Sequence, residues 1–164
     1  MNEHQKSAFA GKIIPSLFNI VTNKMIAVLG FEKDTGDVRE TPTITVATCC
    51  CRMTLRACVR LKSEENDDIT EFKYHNMIVD EDRLIFSWTS EEAADGAHAL
   101  VILTEWDEFK NYPYHEFYAQ TLKPAFLFDG RGILNHRAFE DIGFEVRSIG
   151  KGPGPDGKRV LAQA

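Results

Sequence analysis

The feature that most constrains this chain is a short, wholly apolar run that empties into a glycine-punctuated turn. Met25-Ile26-Ala27-Val28-Leu29 is followed by Gly30-Phe31-Glu32-Lys33-Asp34-Thr35-Gly36-Asp37-Val38-Arg39-Glu40 and then by Thr41-Pro42. An apolar run without polar alternation suits a strand buried on both faces, and such strands belong to parallel sheets. Thr41 stands as an N-cap and Pro42 at a first helical position, so the unit reads strand, turn, helix. The β-branched run Thr43-Ile44-Thr45-Val46 is a weak helix former by propensity. Leu84 to Trp88, Ala99 to Thr104, Ala125 to Phe128 and Glu145 to Ile149 read as further strands. Between them, Ser90 to Ala94, Trp106 to Lys110, Tyr114 to Leu122 and Arg137 to Ile142 read as helices, the last closed by Gly143 as a left-handed cap. Alternating strands and helices predict a single-domain α/β fold: a Rossmann-like open parallel sheet with flanking helices.

Other segments follow different rules. Residues 3 to 21 place Phe9, Ile13, Ile14, Leu17, Phe18 and Val21 at helical spacing. Pro15 lacks an N–H and crowds the preceding turn, which predicts a kink or break near residues 11 to 15. From Cys49 to Glu71 the periodicity dissolves, and residues 47–70 are expected to be irregular. Tyr74 to Val79 reads as a short helix or strand. Beyond Gly150, the proline- and glycine-rich residues 152–164 read as a tail with no core to join.

A chain of 164 residues can bury one real core but is short for two ordinary α/β domains. Its net charge of -6 argues against a nucleic-acid partner, because neutralising a phosphate backbone takes a basic face. No apolar run approaches the length of a membrane span, and Met1 to Lys12 has no signal-like apolar core, so the expected location is the cytosol. The four cysteines, Cys49, Cys50, Cys51 and Cys58, lack the paired spacing of a zinc knuckle and read as reduced thiols. No metal site is expected.

Candidate chemistry lies where the strands end. In doubly wound sheets, ligands sit outside the carboxyl ends of the strands, facing backbone N–H groups. Lys33 and Arg39 follow the first strand, Thr104-Glu105-Trp106 the middle one, and Asp129-Gly130-Arg131 a later one. Lys33, Arg39 and Arg131 are candidate cations for a diphosphate. The alternative is that each solvates a loop or pairs with Asp34, Asp37 or Asp129. Glu105, Asp107 and Glu108 suit helix N-terminal charge and turn hydrogen bonds. Trp106 either stacks a base or caps the core, and His98 reads as a packed or edge residue. No serine or cysteine has an evident base, so nucleophilic catalysis has no support.

The phrases Lys33-Asp34-Thr35-Gly36-Asp37, Leu103-Thr104-Glu105-Trp106-Asp107-Glu108-Phe109, Lys123-Pro124-Ala125-Phe126 and Phe128-Asp129-Gly130-Arg131 together resemble the C-terminal domain of UDP-glucose dehydrogenases. The resemblance implies a UDP-binding domain over residues 24–151, with residues 1–23 as the remnant of a central connecting helix. It implies UDP-glucose or another UDP-sugar as ligand and NAD as cofactor, oxidising UDP-glucose to UDP-glucuronate. Phe31 and Arg131 then fall on substrate-binding positions, Lys33 is the neighbouring lysine expected to take the substrate lysine's role, and Arg39 falls on a position reaching the NAD side of the cleft. The family's usual Gly-Phe-Ala-Phe-Lys-Lys is shortened here to Gly30-Phe31-Glu32-Lys33, which sets Glu32 where the substrate lysine stands.

The catalytic cysteine and NAD domain of the family map upstream of Met1, and no G-x-G-x-x-G stands here between a strand and a helix. No turnover is therefore expected of these residues alone. Ala47 to Leu61 departs from the family pattern, as a shifted frame or misplaced splice boundary would make it. A second copy, or a full-length dehydrogenase, is the expected protein partner; a non-catalytic interaction role and a non-functional gene fragment are the alternatives.

Overall fold

The computed structural model describes residues 3–17, 24–29, 54–58, 84–87 and 89–148. Helix α1 (Glu3–Ser16) is followed by strands β1 (Met25–Leu29), β2 (Thr54–Cys58) and β3 (Leu84–Ser87). Next come α2 (Ser90–Ala94), β4 (Ala99–Ile102), a 3-10 turn (Asp107–Lys110), α3 (Tyr114–Gln120), β5 (Phe126–Asp129), α4 (His136–Ile142) and β6 (Glu145–Ser148). The strands form one sheet in the order β3-β2-β1-β4-β5-β6. Every pairing is parallel, with Ile26 opposite Leu55 and Ala99, and Ile102 opposite Asp129. The expected Rossmann-like open sheet is the observed architecture.

The unbroken apolar runs do what their pattern demands. Ala27, Leu29, Leu100, Ile102, Leu127 and Val146 join one core cluster with Ala93, Phe109, Phe117 and Phe139. Their sequence neighbours Ile26, Val28, Ala99, Val101, Phe126 and Phe128 are buried as well, so the central strands are covered on both faces. At the edge, β6 alternates, with Val146 and Ser148 buried and Glu145 and Arg147 exposed. Thr89 caps α2 by accepting the Glu92 N–H at 3.2 Å. Gly143, at φ +120°, closes α4 as expected: its own N–H reaches the Glu140 carbonyl at 3.0 Å and that of Phe144 reaches Phe139 at 3.1 Å.

Two expectations are corrected. Residues 47–70 are not irregular throughout, because Thr54-Leu55-Arg56-Ala57-Cys58 forms β2 in register between β1 and β3. Its two apolar residues are interleaved with polar ones, and the strand is defined by partners on both sides rather than by a local run. The second correction concerns the break expected near residues 11 to 15: α1 is helical through them and ends at Ser16. Pro15 falls in the last turn, so the one backbone bond it forgoes, to the residue 11 carbonyl, is lost at the helix end. Ile13 and Leu17 are buried, and Lys12 Nζ donates to the Ser148 carbonyl at 3.4 Å, which ties α1 to the end of β6. The expected helix start at Thr41-Pro42, the element at Tyr74 to Val79 and the tail lie outside the described residues.

Candidate functional site

The strand order reverses between β1 and β4. Chain connections leave these neighbours in opposite directions, opening a crevice at their carboxyl ends where ligands of such sheets bind. β4 leads there into Leu103-Thr104-Glu105, and β5 into Gly130-Arg131-Gly132. The Gly130 N–H donates to the Ile102 carbonyl at 2.8 Å, which carries the β4–β5 pairing one step past the strand.

Asp129 builds the loop that follows. Its side chain is fully buried. Oδ1 accepts the backbone N–H groups of Arg131 at 3.1 Å, Gly132 at 2.7 Å and Ile133 at 3.3 Å. Oδ2 accepts the Leu134 N–H at 3.0 Å and lies 3.2 Å from His136 Nε2. A carboxylate at that position only accepts, so the hydrogen-bond network assigns the ring proton to Nε2. Gly132 turns the loop with φ +69°, a conformation that side chains resist. One buried carboxylate thus satisfies donors that no strand or helix reaches.

The loop delivers Arg131. Its guanidinium Nη2 lies 2.6 Å from Glu105 Oε1, joining the loop after β5 to the loop after β4. This pair is partly exposed, and its worth is set by geometry more than by raw Coulomb attraction. Among the described residues, two buried side-chain atoms, Arg131 Nε and Thr104 Oγ1, have no hydrogen-bond partner. Behind them, Tyr114 donates to the Phe109 carbonyl at 2.7 Å and packs edge-on against Phe139, with ring centroids 4.5 Å apart. Burial, then Tyr112, then Asp129 raise the Tyr114 hydroxyl above its ordinary range and keep it a neutral donor.

Of the residues expected to bind substrate, Arg131 stands at the carboxyl edge. Phe31, Lys33 and the cofactor-side Arg39 lie outside the described residues. The sequence alternative paired Arg131 with Asp129; instead Asp129 holds the backbone of Arg131 while Glu105 takes its guanidinium. Glu105 is therefore an ion-pair partner rather than helix-terminal charge, a correction that only the adjacency of β4 and β5 supplies. His136 was not anticipated; the local signal was the Asp-Gly-Arg-Gly turn, whose leading aspartate commonly captures its own backbone. Trp106 is half-buried and stacks on Phe109, the core-capping alternative. His98 sits at the opposite end of the sheet, packed as expected.

A dinucleotide pyrophosphate needs a glycine cradle directly after the first strand. Here Leu29 is followed by Gly30-Phe31-Glu32-Lys33, so these residues do not fit the NAD pyrophosphate.

The strand order and the loaded carboxyl edge define the class, a doubly wound α/β domain of Rossmann type. Residues 26–136 match the UDP-glucose/GDP-mannose dehydrogenase family, UDP binding domain, and the chain belongs to that family. The UDP-glucose 6-dehydrogenase of Pongo abelii is 42% identical over 159 residues, covering 92% of this chain and 32% of that protein. UDP-glucose 6-dehydrogenase 2 of Arabidopsis thaliana is 40% identical over 171 residues, covering 92% and 35%. The chain therefore spans about a third of the length of the curated relatives it matches. A UDP-glucose dehydrogenase from Pyrobaculum islandicum superposes with TM-score 0.61 at 15% identity, over 88% of this chain and 29% of that one. The NDP-N-acetyl-D-galactosaminuronic acid dehydrogenase of Methanosarcina mazei gives 0.63 at 18%, over 90% and 29%. Both likenesses speak to fold. Among the described residues, no helix is long and apolar enough to cross a membrane.

Proposed function

We propose that this chain is the nucleotide-sugar-binding part of a UDP-glucose 6-dehydrogenase, working in the cytosol and taking UDP-glucose or another UDP-sugar at the carboxyl edge of β1, β4 and β5. The observation that carries this reading is Arg131, held by its backbone on Asp129 and by its guanidinium near the switch point. A planar cation fixed in this way suits a phosphate oxygen. Phe31 and Lys33 complete the substrate contacts, and Arg39 reaches toward NAD bound mainly by another domain. Glu32 works against a diphosphate, so Glu32→Lys tightens UDP binding about tenfold, the scale of one restored charge-assisted hydrogen bond.

Calorimetric titration with UDP and UDP-glucose tests the reading. Arg131→Ala is expected to weaken both by about tenfold to a hundredfold, with no NADH formed from UDP-glucose and NAD by the unmodified chain. UDP affinity untouched by Arg131→Ala overturns the pocket. Co-purification with a full-length dehydrogenase, or with a second copy, tests the accompanying proposal that the chain acts within such an assembly.

A further inference from the structure

We infer that Thr104 is a second ligand contact of this edge, its hydroxyl donating to a phosphate oxygen of a nucleoside diphosphate beside Arg131. The inference rests on the UDP-binding reading and extends it to a residue outside the expected substrate set of Phe31, Lys33 and Arg131. Three observations converge. Thr104 is only 6% exposed, yet its Oγ1 has no hydrogen-bond partner among the described residues. A buried polar atom left unmade costs about 1–3 kcal/mol, so a native structure retains one where something else completes it. The other such side-chain atom among the described residues is Arg131 Nε.

The residues that carry these two atoms stand at one level of adjacent strand ends. Ile102 and Asp129 are partners in the β4–β5 register, and Thr104 and Arg131 each stand two residues beyond that pair. The ion pair between Glu105 and Arg131 confirms that the two loops meet. Chemistry then selects the ligand. A guanidinium Nε–H only donates, while a hydroxyl donates or accepts. A single group answering both must bring acceptors, and a phosphate offers several, with charge to match Arg131.

Thr104→Val keeps the shape and removes the hydroxyl, so it separates a ligand contact from a structural one. The expected result is UDP affinity lowered about threefold to thirtyfold with a Tm equal to or above that of the unmodified chain, and recovery in Thr104→Ser. Uridine, which lacks phosphate, is expected to bind both forms equally. A lower Tm with unchanged UDP affinity overturns the inference, because the hydroxyl then has a structural partner. An equal loss for uridine overturns the phosphate assignment. If the unmodified chain fails to bind UDP, both this inference and the proposed function fall. If UDP binds and Arg131→Ala weakens it while Thr104→Val does not, only this inference falls.

Discussion

At the amino ends of the strands backbone meets backbone, whereas at the carboxyl ends side chains take over. On the amino side, the His98 N–H donates to the Met25 carbonyl at 2.8 Å, Leu122 to Ala97 at 2.8 Å and Glu145 to Ala125 at 2.8 Å. His98 Nδ1 in turn accepts the Met25 N–H at 3.1 Å. On the carboxyl side a single buried carboxylate collects the loop's donors, and both orphaned side-chain atoms of the described residues belong to Thr104 and Arg131, just past the ends of β4 and β5. The difference separates two tasks of one sheet. A seam whose donors and acceptors are matched internally has nothing left to offer a ligand, whereas an edge held by a side chain leaves donors over.

The largest expected effect tests that dependence on a side chain. Asp129→Ala strands four backbone donors and the His136 ring, and should lower unfolding stability by about 3–5 kcal/mol, read by urea denaturation. A loss below about 1 kcal/mol would mean that water replaces the carboxylate freely. At the amino end, a comparable change must act through the backbone. A Cβ on Gly143 would lie 2.6 Å from Tyr118 Cζ and Oη at φ +120°, and the Tyr118 ring is packed edge-on against Phe144. Gly143→Ala should therefore cost about 2–3 kcal/mol, measured the same way. Lys123 serves as the comparison. Its ammonium lies 3.7 Å from the Tyr118 ring centroid and donates to the Thr121 carbonyl at 2.6 Å, on an exposed side chain. Lys123→Ala should change stability by less than about 1 kcal/mol.

The smallest effect is a slope with pH. Burial, and then the Lys24 ammonium, hold the His98 imidazole below its ordinary value of 6.5. The unfolded ring takes up a proton near 6.5 while the folded ring resists it. Stability from His98 is therefore complete above that pH and declines as pH falls below it. Replacing His98 with Asn should flatten this part of the stability-against-pH curve, and an unchanged slope would assign it to other groups.

Much of this contrast was legible in the residues, though unevenly. Unbroken apolar runs such as Ala99–Ile102 announce central parallel strands, and Gly143 announces its cap, because both depend on local chemistry. β2 escaped notice since Thr54-Leu55-Arg56-Ala57-Cys58 takes its definition from neighbours distant in sequence. At the site, Arg131 was found through its family phrase and its place after a strand. Its partner Glu105 was not, because only the pairing of β4 with β5 brings together residues 26 positions apart. Thr104 was named only as part of a strand end with candidate chemistry; a hydroxyl missing its partner is a property of packing.

The central claim, that this family's nucleotide sits on the carboxyl edge and leaves the amino seam untouched, is most directly tested by titrating UDP into the isotope-labelled chain and following amide and arginine Nε–H resonances. Saturable shifts are expected at Thr104, Glu105, Gly130 to Leu134 and the Arg131 side chain, with His98, Leu122 and Gly143 unmoved. Saturable shifts confined to the amino seam, or none on either edge at saturating UDP, would contradict it.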